Sequence, residues 1–140
     1  DYLCTVLNYQ FHPLARQNTY FIIDDDKDDQ NFLMDALLEN DSNAQCFTAI
    51  NGWEAINGLE NGTIPLPDII FLDIIMPKLD GRQCLAELKS KPTFRQIPVI
   101  IYSTTDNQQE KKQLLQMGAY HFMVKKSDFK ALREELSKVI

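Results

Sequence analysis

From Tyr20 onward the chain alternates short, continuously apolar runs with longer stretches whose apolar positions recur at helical spacing. The runs fall at residues 20–23, 44–49, 68–72, 98–102 and 121–124, and all but the more polar second one read as strands buried on both faces. Between and after them, helical stripes are formed by Phe32, Leu33, Ala36 and Leu37, by Ala55, Ile56 and Leu59, and by Cys84, Leu85 and Leu88. Two further stripes follow, Leu114, Leu115 and Met117, then Phe129, Leu132, Leu136 and Val139. Gly62, Pro92 and Gly118 punctuate helix ends, and Ser127 is placed to cap the last helix. Strands alternating with amphipathic helices predict βαβ units, hence a parallel five-stranded sheet with helices on both faces. Residues 1–18 are apolar without a clean period and are broken by His12-Pro13; three readings stay open, an extra strand, an arm on a neighbouring molecule, or residues left by cloning.

Length limits this organisation to one domain, because 140 residues suit a single core. Residues 19–140 make that domain and residues 1–18 an extension of unknown role. The net charge of −6 argues against direct binding to nucleic acid, whose phosphates attract basic surfaces. Cys4, Cys46 and Cys84 are dispersed among apolar residues with no paired spacing, so they read as reduced thiols of a cytoplasmic protein. No apolar run approaches membrane-spanning length, and the first residues lack the basic region of a signal peptide, so no membrane association is expected.

Ligands of an open parallel sheet bind beyond the carboxyl ends of its strands, so the residue after each apolar run carries the chemistry. Those residues are Asp24 and Asp25 after the first run, Asp73 after the third, Ser103 and Thr104 after the fourth, and Lys125 after the fifth. Three carboxylates, two hydroxyls and one ammonium at one edge describe a site for a hard divalent cation, Mg²⁺ or Mn²⁺, beside an anionic group. Asp73 is placed to act as a nucleophile toward phosphorus, giving an acyl phosphate. Lys125 can then meet one phosphoryl oxygen, and the Ser103 hydroxyl and Thr104 amide another.

The stretch Tyr-Phe-Ile-Ile-Asp-Asp-Asp at 20–26, the stretch Phe-Leu-Asp-Ile-Ile-Met-Pro-Lys-Leu-Asp-Gly at 71–81, and then Ser-Thr and Lys in this order resemble the response-regulator receiver family of two-component signalling. The resemblance covers residues 19–140 and implies a flavodoxin-like doubly wound sheet of order 2-1-3-4-5, of the chemotaxis-type single-domain kind. It implies Asp73 as phosphoacceptor, with Asp25, Asp73 and the Ile75 carbonyl as direct metal ligands and Asp24 acting mainly through water. It further implies that Ser103 moves toward the phosphoryl group while Phe122 turns inward behind it. That movement reshapes the face of the fourth helix, fifth strand and fifth helix, where partners or a second copy would bind. The donor would be a sensor histidine kinase or a histidine phosphotransfer protein, and the output would act in trans on a protein target. Such a domain is not an enzyme beyond its own phosphoryl transfer and slow self-dephosphorylation.

Two positions depart from the family pattern. Lys126 stands where a proline usually follows the lysine, often after a cis bond, and a cis bond before a non-proline residue costs about 2.5 to 4 kcal/mol. A trans loop of different shape is therefore expected. Ile75 has no polar group to orient hydrolytic water, so self-dephosphorylation should be slow. The blander alternatives are a helix-dipole cluster for Asp24 and Asp25, a turn aspartate for Asp73, a helix cap for Ser103, a solvated strand-end lysine for Lys125 and a plain core aromatic for Phe122. Asp80 reads as a turn and helix start only. A competing function is a degenerate receiver serving as a phosphorylation-independent interaction module, which the intact acidic, hydroxyl and lysine set opposes. An aspartyl phosphatase would want a carboxylate where Ile75 stands, and the five glycines form no phosphate-cradling loop after the first strand.

Overall fold

The computed structural model describes residues 17–140, so the readings of residues 1–16, with Cys4 and His12, fall outside the described residues. Five strands form one parallel sheet: β1 (Thr19–Ile23), β2 (Gln45–Ala49), β3 (Ile69–Leu72), β4 (Val99–Ser103) and β5 (His121–Val124). The helices are α1 (Lys27–Asn40), α2 (Gly52–Asn61), α3 (Gly81–Ser90), α4 (Gln108–Gln116) and α5 (Phe129–Val139). Strand order is β2-β1-β3-β4-β5, the expected doubly wound arrangement, with the strand bounds shifted by at most one residue from the sequence pattern.

The two-residue period of a strand sorts the core into two layers. Phe21, Ile23, Ile70, Leu72, Val99 and Ile101 face α2, α3 and α4, where Ile56, Leu59, Leu85, Leu88 and Leu114 cover them. Tyr20, Ile22, Phe71, Ile100, Tyr102 and Met123 face α1 and α5, and meet Leu33, Leu37, Leu132 and Leu136. Each such side chain withdrawn from water contributes roughly 1.5 to 3 kcal/mol, so β1, β3 and β4, lying inside the sheet, form its most firmly held part. The edge strand β2 is the least buried, as its mixed sequence implies.

Helix starts explain several polar residues. Asp26 caps α1 by accepting from the amides of Asp28 and Asp29, and Asn51 caps α2. Asp80 and Gln83 make a reciprocal capping box at α3, and Asn107 caps α4. The cap of α5 is Asp128, which accepts from Lys130 and Ala131. Ser127 does not cap that helix, correcting the sequence reading: the helix begins one residue later, and the carboxylate one position on reaches the free amides. Gly62 ends α2 at φ 81°, the left-handed conformation that glycine adopts without a Cβ clash.

Candidate phosphoryl-transfer site

Ladder bonds continue past the strands and align the chemistry. The Asp24 amide donates to the Ala49 carbonyl at 3.0 Å, the Asp73 amide to Ile23 at 2.9 Å, and the Lys125 amide to Ser103 at 2.7 Å. Asp24, Asp73, Ser103 and Lys125 therefore leave the sheet from one edge, as the sequence pattern requires. Buried Gln30 on α1 ties the ends of β1 and β2 together, its amide donating to the carbonyls of Asp24 (2.6 Å) and Ala49 (3.1 Å).

Behind Asp73 the β3–α3 connection folds back on itself. The Gly81 amide donates to the Ile74 carbonyl at 2.9 Å, and a Cβ on Gly81 would lie 2.5 Å from the Ile74 Cα and collide with the Asp73 carbonyl. That close approach requires glycine at position 81, after Asp80. Lys78 and Leu79 take left-handed conformations in the same connection, each costing roughly 1 to 2 kcal/mol. Ile74 and Met76 point into the core while Ile75, 68% exposed, points out.

One carboxylate oxygen from each of Asp24, Asp25 and Asp73 lies within 4.8 Å of the others. Asp24 is 2% exposed and Asp73 7% exposed, whereas Asp25 opens to solvent. Unit charges about 5 Å apart repel by roughly 3 kcal/mol at an effective dielectric near 20. Burial pushes the Asp24 carboxyl up to about 6; Lys125 and the Asp26 amide act against that shift, and Asp73 adds to it. The Asp26 amide fixes Asp24 Oδ1 at 3.0 Å, while the buried Oδ2 has the Lys125 ammonium, 2.7 Å away, as its one polar neighbour among the described residues. An all-oxygen set of three carboxylates, two of them buried and with a single ammonium between them, fits a hard divalent cation such as Mg²⁺.

The ammonium of Lys125 bridges two members of this cluster, Asp24 and Asp73. It lies 2.7 Å from Asp24 Oδ2, 2.8 Å from Asp29 Oδ2 and 3.3 Å from Asp73 Oδ2, and 5.5 Å from the centre of the Tyr102 ring. Burial would lower its pKa, but the bonds to Asp24 and Asp29 and the charge of Asp73 together hold it above the ordinary lysine value. Asp73 Oδ1 accepts from the Ile74 amide at 2.8 Å. Lys125 is thus no solvated strand-end lysine. The Lys125–Lys126 bond is trans, since the described residues include no cis peptide.

Ser103 is fully buried, and its hydroxyl has no hydrogen-bond partner among the described residues. It does not cap α4, a task taken by Asn107. Thr104 beside it is exposed. Phe122 is half-buried against the core layer that faces α4, with the Lys111 ammonium 5.4 Å from its ring centre. Asp80, as expected, belongs to a helix cap and not to the acidic cluster.

Sequence reasoning missed Asp29 and Gln30. Both sit in the first turns of α1, close in sequence to the aspartate pair, but an acidic first turn reads equally well as a response to the helix dipole, which hid Asp29.

Comparison with known proteins agrees with this geometry. Residues 21–137 match the family model of the response regulator receiver domain. The response regulator PleD of Caulobacter vibrioides is 35% identical over 92 residues, which are 66% of this chain and 20% of PleD. Rcp1 of Synechocystis is 30% identical over 93 residues, 64% of this chain and 63% of Rcp1. The chain thus spans a fifth of the first relative and less than two thirds of the second. Among solved structures, the phosphorylated cyanobacterial phytochrome response regulator RcpA superposes with a TM-score of 0.80 at 28% identity, covering 89% of this chain and 91% of that one. With its strand order, its acidic edge and a family match over most of its length, this chain belongs to the response regulator receiver domain family.

Proposed function

We propose that this chain is a phosphorylation switch in which Asp73 accepts a phosphoryl group from a histidine kinase or histidine phosphotransfer protein and the altered surface regulates a protein target in trans. The observation that carries this reading is the meeting of Asp24, Asp25 and Asp73 within 4.8 Å beneath a lysine that bridges Asp24 and Asp73. Asp24, Asp25, Asp73 and the Ile75 carbonyl are the proposed holders of Mg²⁺ or Mn²⁺. When bound, the cation neutralises charge on the transferring group's oxygens.

The Asp73 carboxylate attacks phosphorus in line. Its oxygen–phosphorus bond forms as the phosphorus–nitrogen bond to the donor imidazole breaks, and the imidazole leaves with a proton from water. Lys125 gives the phosphoryl group a point charge that persists through the transfer. The Ser103 hydroxyl, a buried donor with no acceptor among the described residues, gains one when a phosphoryl oxygen arrives, and the Thr104 amide serves another. Phe122, half-buried, follows into the space that Ser103 leaves, reshaping the α4, β5 and α5 face that would receive partners or a second copy. Exposed Ile75 offers no group to orient attacking water, so the acyl phosphate decays slowly. Residues 19–140 form the proposed receiver, residues 1–18 an extension, and the cytoplasm is the proposed compartment.

Incubation with Mg²⁺ and acetyl phosphate, read by intact mass, is expected to add about 80 Da to the wild type and nothing to Asp73→Asn. No gain with either acetyl phosphate or a histidine kinase, in a protein that still binds Mg²⁺, would overturn the reading in favour of a phosphorylation-independent interaction module.

A further inference from the structure

Asp29 stands outside the acidic triad, in the first turn of α1, yet its carboxylate is 2.8 Å from the Lys125 ammonium, closer than the acceptor Asp73 at 3.3 Å. An ammonium has three protons to donate, and Asp24, Asp29 and Asp73 together match that number. Asp24 and Asp73 belong to the set that would hold the cation, and Asp73 is also the residue that changes chemically, so both contacts alter during transfer. Asp29 alone keeps its carboxylate free throughout.

The backbone after Lys125 gives little support of its own. Lys126 and Ser127 are exposed, Lys126 meets Glu135 only at 3.8 Å, and regular structure resumes at Asp128, the cap of α5. Lysine has a flexible stem, so its tip needs an external partner to stay in place. Asp29 is well suited: its amide is bound by the Asp26 cap at 3.1 Å, so its backbone is fixed in the helix start.

We propose that Asp29 is a positioning residue for phosphoryl transfer, holding the Lys125 ammonium over Asp73 while the other two carboxylates are engaged. This rests on Asp73 being the phosphoacceptor. Asp29 binds neither the cation nor the phosphoryl group; it acts through Lys125 alone.

The test compares wild type with Asp29→Asn, Asp29→Glu and Asp28→Asn, using acetyl phosphate and Mg²⁺. Asp29→Asn is expected to lower the maximal phosphorylation rate roughly fivefold, with Mg²⁺ affinity and Tm unchanged. Asp29→Glu should recover part of the rate, and Asp28→Asn should behave as wild type. In a Lys125→Ala background Asp29→Asn should have no further effect, and in metal-free protein it should broaden the Lys125 ammonium NMR signal. An unchanged or faster rate in Asp29→Asn, a loss of Mg²⁺ affinity that accounts for the slower rate, or a persistent effect without Lys125 would each overturn the proposal while leaving the acceptor intact. A wild type that takes up no phosphoryl group from any donor overturns both.

Discussion

The two halves of the sheet edge are built differently. On the β1–β3 side, Asp24 and Asp73 are buried, each has one oxygen fixed by a backbone amide, and Gln30 and Gly81 brace the chain around them. On the β4–β5 side, the Ser103 hydroxyl is buried with no partner among the described residues, Thr104 is exposed and Phe122 is half-buried. The helices follow suit: α1 buries four residues, whereas α4 buries only Leu114. A group that must meet phosphorus in line needs fixed geometry, and a surface that must change needs groups with somewhere to go. The half that carries Asp73 is held, and in the other half only Lys125 is held while Ser103 and Phe122 have slack.

Breaking the held half should have the largest effect. Gly81→Ala forces a Cβ against the Asp73 carbonyl and the Ile74 Cα, and both are backbone atoms that cannot rotate away. A loss of about 3 kcal/mol or more of stability in urea titration is expected, with weakened Mg²⁺ binding in what remains folded. Ala at Gly62, where a Cβ would meet nothing, should cost far less, limited to the strain of its left-handed φ. Equal losses at the two sites would show that the connection behind Asp73 is not the rigid element it is taken to be.

A smaller effect concerns pH. The folded-state pKa of Asp24 is raised by burial from 3.8 to about 6, so between these values the folded protein binds a proton that the unfolded chain does not. The metal-free protein should therefore become more stable as pH falls from 7 toward 5, by roughly 1 kcal/mol once solvent screening is allowed for, or a few degrees in Tm. Asp24→Asn should remove that part of the dependence, and saturating Mg²⁺ should reverse it by favouring the charged carboxylate. Scanning calorimetry at pH 7 and 5 with identical slopes for wild type and Asp24→Asn would show that Asp24 is not the strained group.

These differences were unevenly legible in the sequence. Period-2 burial, the helical stripes and the residue after each strand are local patterns, so the parallel sheet and the positions of Asp24, Asp73, Ser103 and Lys125 followed from them, whereas the strand order followed only from the family resemblance. The failures concern choices between neighbouring groups with similar chemistry. Ser127 and Asp128 can both cap a helix, and only backbone dihedrals decide between them. Asp28 and Asp29 can both answer the helix dipole, and only the fold shows that Lys125, 96 residues away in sequence, reaches Asp29.

The smallest effect sharpens the comparison most, because stability and signalling should part company at Ser103. A buried hydroxyl with no partner among the described residues costs roughly 1 to 3 kcal/mol in lost hydration, so Ser103→Ala should leave the resting protein as stable as wild type or about 1 kcal/mol more stable. The same substitution deletes the donor that the phosphoryl oxygen would recruit. Uptake of phosphate on Asp73 should survive, while the accompanying shift of amide NMR signals around Phe122 and α4 should shrink. A marked loss of resting stability would mean that the hydroxyl is already bonded in the unphosphorylated state, by ordered water for example. The Ser103 half would then be as firmly held as the Asp73 half, and the proposed switch would have to lie elsewhere.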